Sequence, residues 1–171
     1  MPAVHVCPLS QLAPTVATSG ASHLITLINV ATPVERPQTI PAENHLFIGI
    51  NDIVEPADGM VLAADDHVSA LIDFVERWDK KRPLVVHCFA GISRSTAGAF
   101  IALCVARPGR DERAIARALR RASPLATPNA WLVAIADRLL GRDGRMIAAI
   151  EEIGRGETAI ENVPFALALE D

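Results

Sequence analysis

The chain contains no tyrosine, only three cysteines, and only five phenylalanines and two tryptophans in 171 residues. Without tyrosine, regulation through phosphorylation of its own tyrosines is excluded. Cys7, Cys88 and Cys104 are odd in number and lack metal-ligand spacing, which argues against a disulfide framework or a zinc site and for a reducing compartment. No apolar run approaches the length of a membrane span. The start, Met1-Pro2-Ala3-Val4-His5, lacks the basic residues and apolar stretch of a secretory signal, so a cytoplasmic location is expected. There is no basic excess either. The net charge of −4 speaks against nucleic acid as a partner, and nothing points to a membrane.

What the chain does have is enough length for one domain, 1–171, with a substantial core: half of its residues are hydrophobic. His23 to Asn29 is rich in β-branched residues and reads as a strand, as do His45 to Ile50 and Pro83 to Cys88; Val4-His5-Val6 alternates and reads as a short first strand. One or two helical turns are expected between Leu9 and Val16, although Pro14 weakens them. Ala31 to Pro41, with three prolines, reads as an exposed loop. Asp52 to Ala64 is a second, longer loop, and loops of that length in compact domains are more often functional than idle.

A helix is expected from Asp66, as N-cap, to Trp78, and another from Arg94 to the Pro108-Gly109 stop, with Ala97, Phe100, Ile101, Cys104 and Val105 on one stripe. Three more follow. One spans Asp111 to Ala122; one is opened by Thr127-Pro128 and closed by Gly141; one spans Asp143 to Ile153. The apolar run Val163 to Leu169 is expected to pack against the body. Strands alternating with helices, then helices alone, give an α/β class: a mostly parallel central sheet flanked by helices, with a helical C-terminal half. Active sites of such sheets lie beyond the carboxyl ends of the strands, where both Asp52 and Cys88 fall.

The chemistry concentrates in Val86-His87-Cys88-Phe89-Ala90-Gly91-Ile92-Ser93-Arg94-Ser95. A buried strand stops at a cysteine, a five-residue loop follows, and Arg94 opens a helix. Loop N–H groups and the helix N-terminus make a place for an anion. The same dipole and the Arg94 charge favour the thiolate of Cys88 and make it a competent nucleophile. The N–H groups of Phe89, Ala90, Gly91, Ile92 and Ser93, with the Arg94 fork, match the outer oxygens of a phosphoryl group. Gly91 lets the backbone curl without a Cβ clash. Ser95 is placed to hydrogen-bond the sulfur and improve it as a leaving group, and His87 to orient the loop rather than move a proton. Cys104, on the apolar stripe, reads as core. The other histidines show no ligand spacing, and Arg113, Arg117 and Arg120 read as a solvated face. Trp78 and Trp131 read as helix-packing residues.

His87-Cys88-x5-Arg94-Ser95 resembles the signature loop of the cysteine-dependent protein tyrosine phosphatase superfamily. The fuller string, with Gly91 and Ser93, resembles its dual-specificity branch and small bacterial relatives of that branch. The resemblance implies a two-step phosphomonoester hydrolysis through a phosphocysteine, with no metal and no cofactor. It also implies an aspartate on an upstream loop as general acid and then base. Asp52 is the choice, at the end of a strand with a helix and a strand between it and Cys88; Asp58, Asp65 and Asp66 are rivals, and no Trp-Pro-Asp string is present. No residue between Cys88 and Arg94 is basic, which disfavours inositol phospholipids and favours a phosphorylated protein or small phosphomonoester. Two other readings compete: a phosphate-reading module without useful turnover, and a sulfur-transfer enzyme of rhodanese type, against which the helix-opening Arg94-Ser95 pair argues.

Overall fold

Four parallel strands form the centre of the molecule, which is known from a computed structural model describing residues 2–170. They are β1 (Ala3–Pro8), β2 (His23–Ile28), β3 (His45–Gly49) and β4 (Leu84–Cys88). A fifth strand, β5 (Phe165–Ala168), runs antiparallel along β1, with Val4 opposite Leu167. The sheet order is β3-β2-β4-β1-β5. The class expected from the sequence is thus observed. β4 is buried along its whole length between β1 and β2, which explains its unbroken Leu-Val-Val run.

One face of the sheet carries α1 (Leu12–Ser19), whose Leu12 and Val16 pack with Cys7, Leu24 and Val85. Pro14 is accommodated because it lies in the first turn, where its missing N–H has no intrahelical partner. The other face carries α2 (Asp65–Arg77), α3 (Arg94–Ala106), α4 (Glu112–Ala122), α5 (Ala130–Leu139) and α6 (Arg145–Ile153). α3 is almost wholly buried among them and lies directly on the sheet. Gly98 permits this: a Cβ there would come within 2.6 Å of Leu27 Cδ1 and 3.0 Å of Val86 Cγ1.

Three helix starts differ from expectation. Asp66 does not cap α2. The helix begins one residue earlier, and the N–H of Ala64 donates to His67 Nδ1 at 3.0 Å, so a histidine ring supplies the capping acceptor. Asp65 and Asp66 sit in the first turn, where the helix dipole favours negative charge. Thr127 does not cap α5 either; Asn129 does, its Oδ1 accepting from Leu132 N at 3.0 Å. α6 starts at Arg145 rather than Asp143, and Asp137 in α5 accepts from the N–H groups of Gly144 (2.7 Å) and Met146 (2.8 Å). The apolar tail does pack on the body, but as an edge strand. Trp131 is part-exposed rather than packed between helices, and its Nε1 donates to Ala63 O at 2.8 Å.

The arginines of α4 face α6 as well as solvent: Arg113 and Arg117 pair with Glu152, and Arg120 donates to Gly154 O at 2.8 Å. Glu112 is buried and accepts from Arg142 Nη1 at 2.7 Å, while Arg142 Nη2 donates to Cys104 O at 3.0 Å. Removing one partner of a buried ion pair strands the other charge. Glu112→Ala should therefore destabilise the fold by about 3–5 kcal/mol, read as a shift of the urea-unfolding midpoint at neutral pH.

Candidate active site

Cys88 ends β4 at the carboxyl edge of the sheet, and the next five residues turn back on themselves before α3 begins. The turn closes at Gly91, whose φ is +72° and whose absent Cβ would lie 2.8 Å from Pro8 N and 2.9 Å from Cys7 C. Both the left-handed conformation and the contact require glycine.

Every carbonyl of residues 88–93 is bound from outside the loop. Cys88 O accepts from His87 Nδ1 (3.2 Å) and Phe89 O from Leu9 N (3.0 Å). Ala90 O accepts from Asn162 N and Gly91 O from Asn162 Nδ2, both at 2.9 Å. Ile92 O accepts from Thr127 N (2.9 Å) and Thr96 Oγ1 (2.6 Å), and Ser93 O from Asn129 N (3.2 Å). Because each peptide is planar and trans, carbonyls held outward turn the N–H groups the opposite way, and that of Gly91 meets the sulfur. The result is a ring of donors whose orientation is fixed before any anion arrives.

Cys88 Sγ lies at the floor, 2 % exposed as a residue, 3.1 Å from Ser95 Oγ and 3.2 Å from Gly91 N, which donates to it. The Arg94 side chain is buried; its Nη1 donates to Ile50 O at 3.0 Å, while its Nε is buried with no partner among the described residues. An orphaned guanidinium donor is costly in a protein interior unless an acceptor such as an oxyanion meets it. Two residues beyond Ile50, Asp52 is exposed, and its Oδ1 accepts from Ser93 Oγ (2.7 Å) and Asn129 Nδ2 (2.9 Å). These two donors fix the carboxylate against the loop; Oδ2 has no hydrogen-bond partner among the described residues. Of the rivals, Asp65 pairs with Arg138 and Asp66 accepts from the N–H of His67 in the first turn of α2.

His87 is fully buried and its ring is directed to Thr26 of β2, opposite it in register. Nδ1 meets a carbonyl, so it carries the proton; Nε2 then accepts from Thr26 Oγ1 at 2.7 Å, and Thr26 Oγ1 accepts from His45 Nε2 at 2.8 Å. Burial, foremost, and the nearby His45 and Arg94 push the His87 imidazolium down to about 4, against the favourable bond to Cys88 O. His87 is therefore neutral near pH 7. Cys7 packs on the α1 face, in the cluster that excludes Cys88, and burial pushes its thiol up to about 12. Cys104 is core, as expected, also pushed up to about 12 by burial.

A protein-tyrosine phosphatase family model matches residues 57–122, a segment that holds the whole cysteine loop but stops short of Asp52. Solved structures match over most of the chain. The PTP-2 phosphatase of Cydia pomonella shares 17% identity at a TM-score of 0.61, covering 79% of this chain and 84% of that one. DUSP15 shares 21% at 0.61, covering 92% and 96%. The human tyrosine phosphatase-like serine/threonine/tyrosine-interacting protein shares 18% at 0.63, covering 83% and 97%. The fold is that of the protein tyrosine phosphatases. The resemblance to the superfamily and its dual-specificity branch thus extends from the motif to the architecture. No curated protein matches the sequence.

Within this phosphatase-like frame, the structure brings Cys88, Arg94, Ser95, the loop residues and Asp52 to one edge, and sets His87 behind the loop. Asn129 and Asn162 were not foreseen. Asn129 carries a sequence signal, an asparagine three residues before Leu132 at a helix start, which Thr127-Pro128 obscured. Asn162 carries none. Beside Asp52, Ile92 and Ser93 lies a pocket of about 520 Å3, also lined by Pro128, Ile150 and Arg155.

Gly91→Ala should cost about 1–3 kcal/mol through its positive φ and the contact with the Pro8 backbone, measured by urea unfolding. His87 has a folded value below its unfolded one, so its stabilising effect is complete above pH 6.5 and is lost as pH falls toward 4. Between those limits the protein should lose about 3 kcal/mol more than His87→Asn loses, in unfolding midpoints compared across pH.

Proposed function

We propose that this protein is a phosphomonoester hydrolase working through a phosphocysteine on Cys88. The observation that supports the reading is the cradle itself: a buried cysteine sulfur that accepts from the Gly91 N–H, a loop whose carbonyls are tethered outward, and a buried Arg94 guanidinium whose Nε has no partner among the described residues. Such a set is complementary to a single phosphoryl group and preorganised for the charge that develops on it.

In the first step the Cys88 thiolate attacks phosphorus, a sulfur–phosphorus bond forms and the ester P–O bond breaks. Asp52, through Oδ2, delivers a proton to the departing oxygen. The developing charge on the equatorial oxygens falls on the loop N–H groups and Arg94. In the second step water attacks the phosphocysteine, Asp52 takes the proton, and the S–P bond breaks to release phosphate and thiolate. Ser95 Oγ–H, 3.1 Å away, stabilises that thiolate as it leaves. No residue from Phe89 to Ser93 is basic, so the site accommodates one phosphate rather than several. A phosphorylated protein or a small phosphomonoester fits; the part of the substrate beyond the ester oxygen would pass Asp52 toward the neighbouring pocket. A phosphate-reading module without turnover would bind anions equally well but would not need an oriented acid.

Two variants separate these readings. Cys88→Ser should abolish hydrolysis of p-nitrophenyl phosphate. Asp52→Asn should lower kcat about 100-fold, within the range of a lost general acid, while tungstate affinity stays within a few-fold of the unaltered protein. Full activity in Cys88→Ser would sink the covalent mechanism. Undetectable turnover in the unaltered protein, with tungstate still bound, would favour the binding module.

A further inference from the structure

Asn162 lies 74 residues after Cys88, in an irregular segment between α6 and β5, yet it is buried and bonded to the back of the cradle. Its main-chain N–H donates to Ala90 O and its Nδ2 to Gly91 O, both at 2.9 Å. It thereby holds two successive carbonyls, at the point where the loop reverses direction and Gly91 donates to the sulfur.

The orientation of its amide is decided by its surroundings. Gly91 O only accepts and Val163 N–H only donates, so Nδ2 must face the former and Oδ1 the latter, at 2.9 Å each. Ser123 Oγ, 2 % exposed as a residue, closes the arrangement, exchanging hydrogen bonds of 3.2 and 3.0 Å with the two amide atoms. Nothing in this set serves α6 or β5. Both donors, one from the main chain and one from the side chain, are placed on loop carbonyls, and the side-chain donor is the one that depends on asparagine.

We propose that Asn162 is a positioning residue for the anion site: by holding the Ala90 and Gly91 carbonyls outward it keeps the following N–H groups of Gly91 and Ile92 directed at the bound oxyanion. The inference rests on the phosphate-binding reading of the cradle. A rotation of the Gly91–Ile92 peptide would turn a carbonyl oxygen toward the anion and remove a donor.

Asn162→Asp tests this with little change in shape. It keeps an acceptor for Val163 and Ser123 but replaces the donor to Gly91 O with a carboxylate oxygen. Ser10→Ala is the control, because Ser10 Oγ donates to Glu161 Oε1 at 2.7 Å and anchors the same tail without touching the loop. Tungstate affinity is measured by calorimetry, and kcat/KM with p-nitrophenyl phosphate. Asn162→Asp should weaken tungstate about tenfold or more, the value of one hydrogen bond to a charged group, and lower kcat/KM at least as much. Ser10→Ala should stay within about twofold of the unaltered protein on both readouts, far below the tenfold step set by one such bond. Asn162→Ala, which removes the same donor without adding charge, is measured beside it and should show the same loss of about tenfold; a loss in Asn162→Asp alone would be the added charge acting on the anion and would overturn the proposal. Unchanged tungstate affinity in a folded Asn162 variant would overturn the proposal, as would an equal loss in Ser10→Ala. Failure of the unaltered protein to bind tungstate would instead remove the reading on which it rests.

Discussion

The planarity of the peptide bond governs this site. A loop N–H can be aimed at an anion only if the carbonyl of the preceding residue is held the opposite way. Here that condition is met by tethering six consecutive carbonyls from outside, through His87, Leu9, Asn162, Thr127 and Asn129. These tethers come from the end of β4, the turn after β1, the tail before β5 and the approach to α5. A short Gly-containing loop has little reason of its own to adopt one conformation. The surrounding fold supplies the reason, and so the orientation of the loop is fixed in advance, which is the preorganisation an anion site requires.

The charged groups depend on the same economy of placement. Ile50 O holds the Arg94 guanidinium, and Asp52 follows two residues later. One short segment after β3 thus sets both the cation and the carboxylate against the cradle. Ser93 and Asn129 then tie Asp52 back to the loop. The carboxylate is exposed, with one oxygen fixed by two donors and the other without a hydrogen-bond partner among the described residues. Behind the loop, with His87 neutral, the line from His45 through Thr26 to His87 runs in one direction of donation. A charged imidazolium there would face Arg94 without water to screen it.

The strand, loop and helix around Cys88 were legible because their signals are local: an apolar β-branched run, a glycine, and an apolar stripe at helical spacing. Asp52 was legible as a position, from the rule that sites lie at strand ends. The tethers were not, because a hydrogen bond between Asn162 and Gly91 leaves no periodicity in either stretch. Thr127-Pro128 misled for a physical reason: it has the residue types of a cap and first turn, but its N–H is spent on Ile92 O, and Asn129 takes the capping role. Asp66 misled similarly, since an acidic residue at a helix start serves as well inside the first turn as at the cap. β5 was hidden by its length of four residues and by lying at an edge, where burial is partial and the alternation weak.

The tail links these points. β5 completes the sheet on the far side of β1 from β4, and the residues just before it complete the cradle. The stretch from Glu157 to Leu169 makes bonds to Pro124, Ser10, Ala90, Gly91 and Pro2, all distant in sequence. Contacts of such separation are costly to close and gain nothing until the rest of the fold is in place. An ordered cradle is then conditional on a docked tail, and by linkage an anion that binds the ordered cradle stabilises the docked tail by the same free energy. The segment that looks most dispensable in the sequence, polar and without helix or strand pattern until its last residues, is for this reason part of the site rather than an appendage to it.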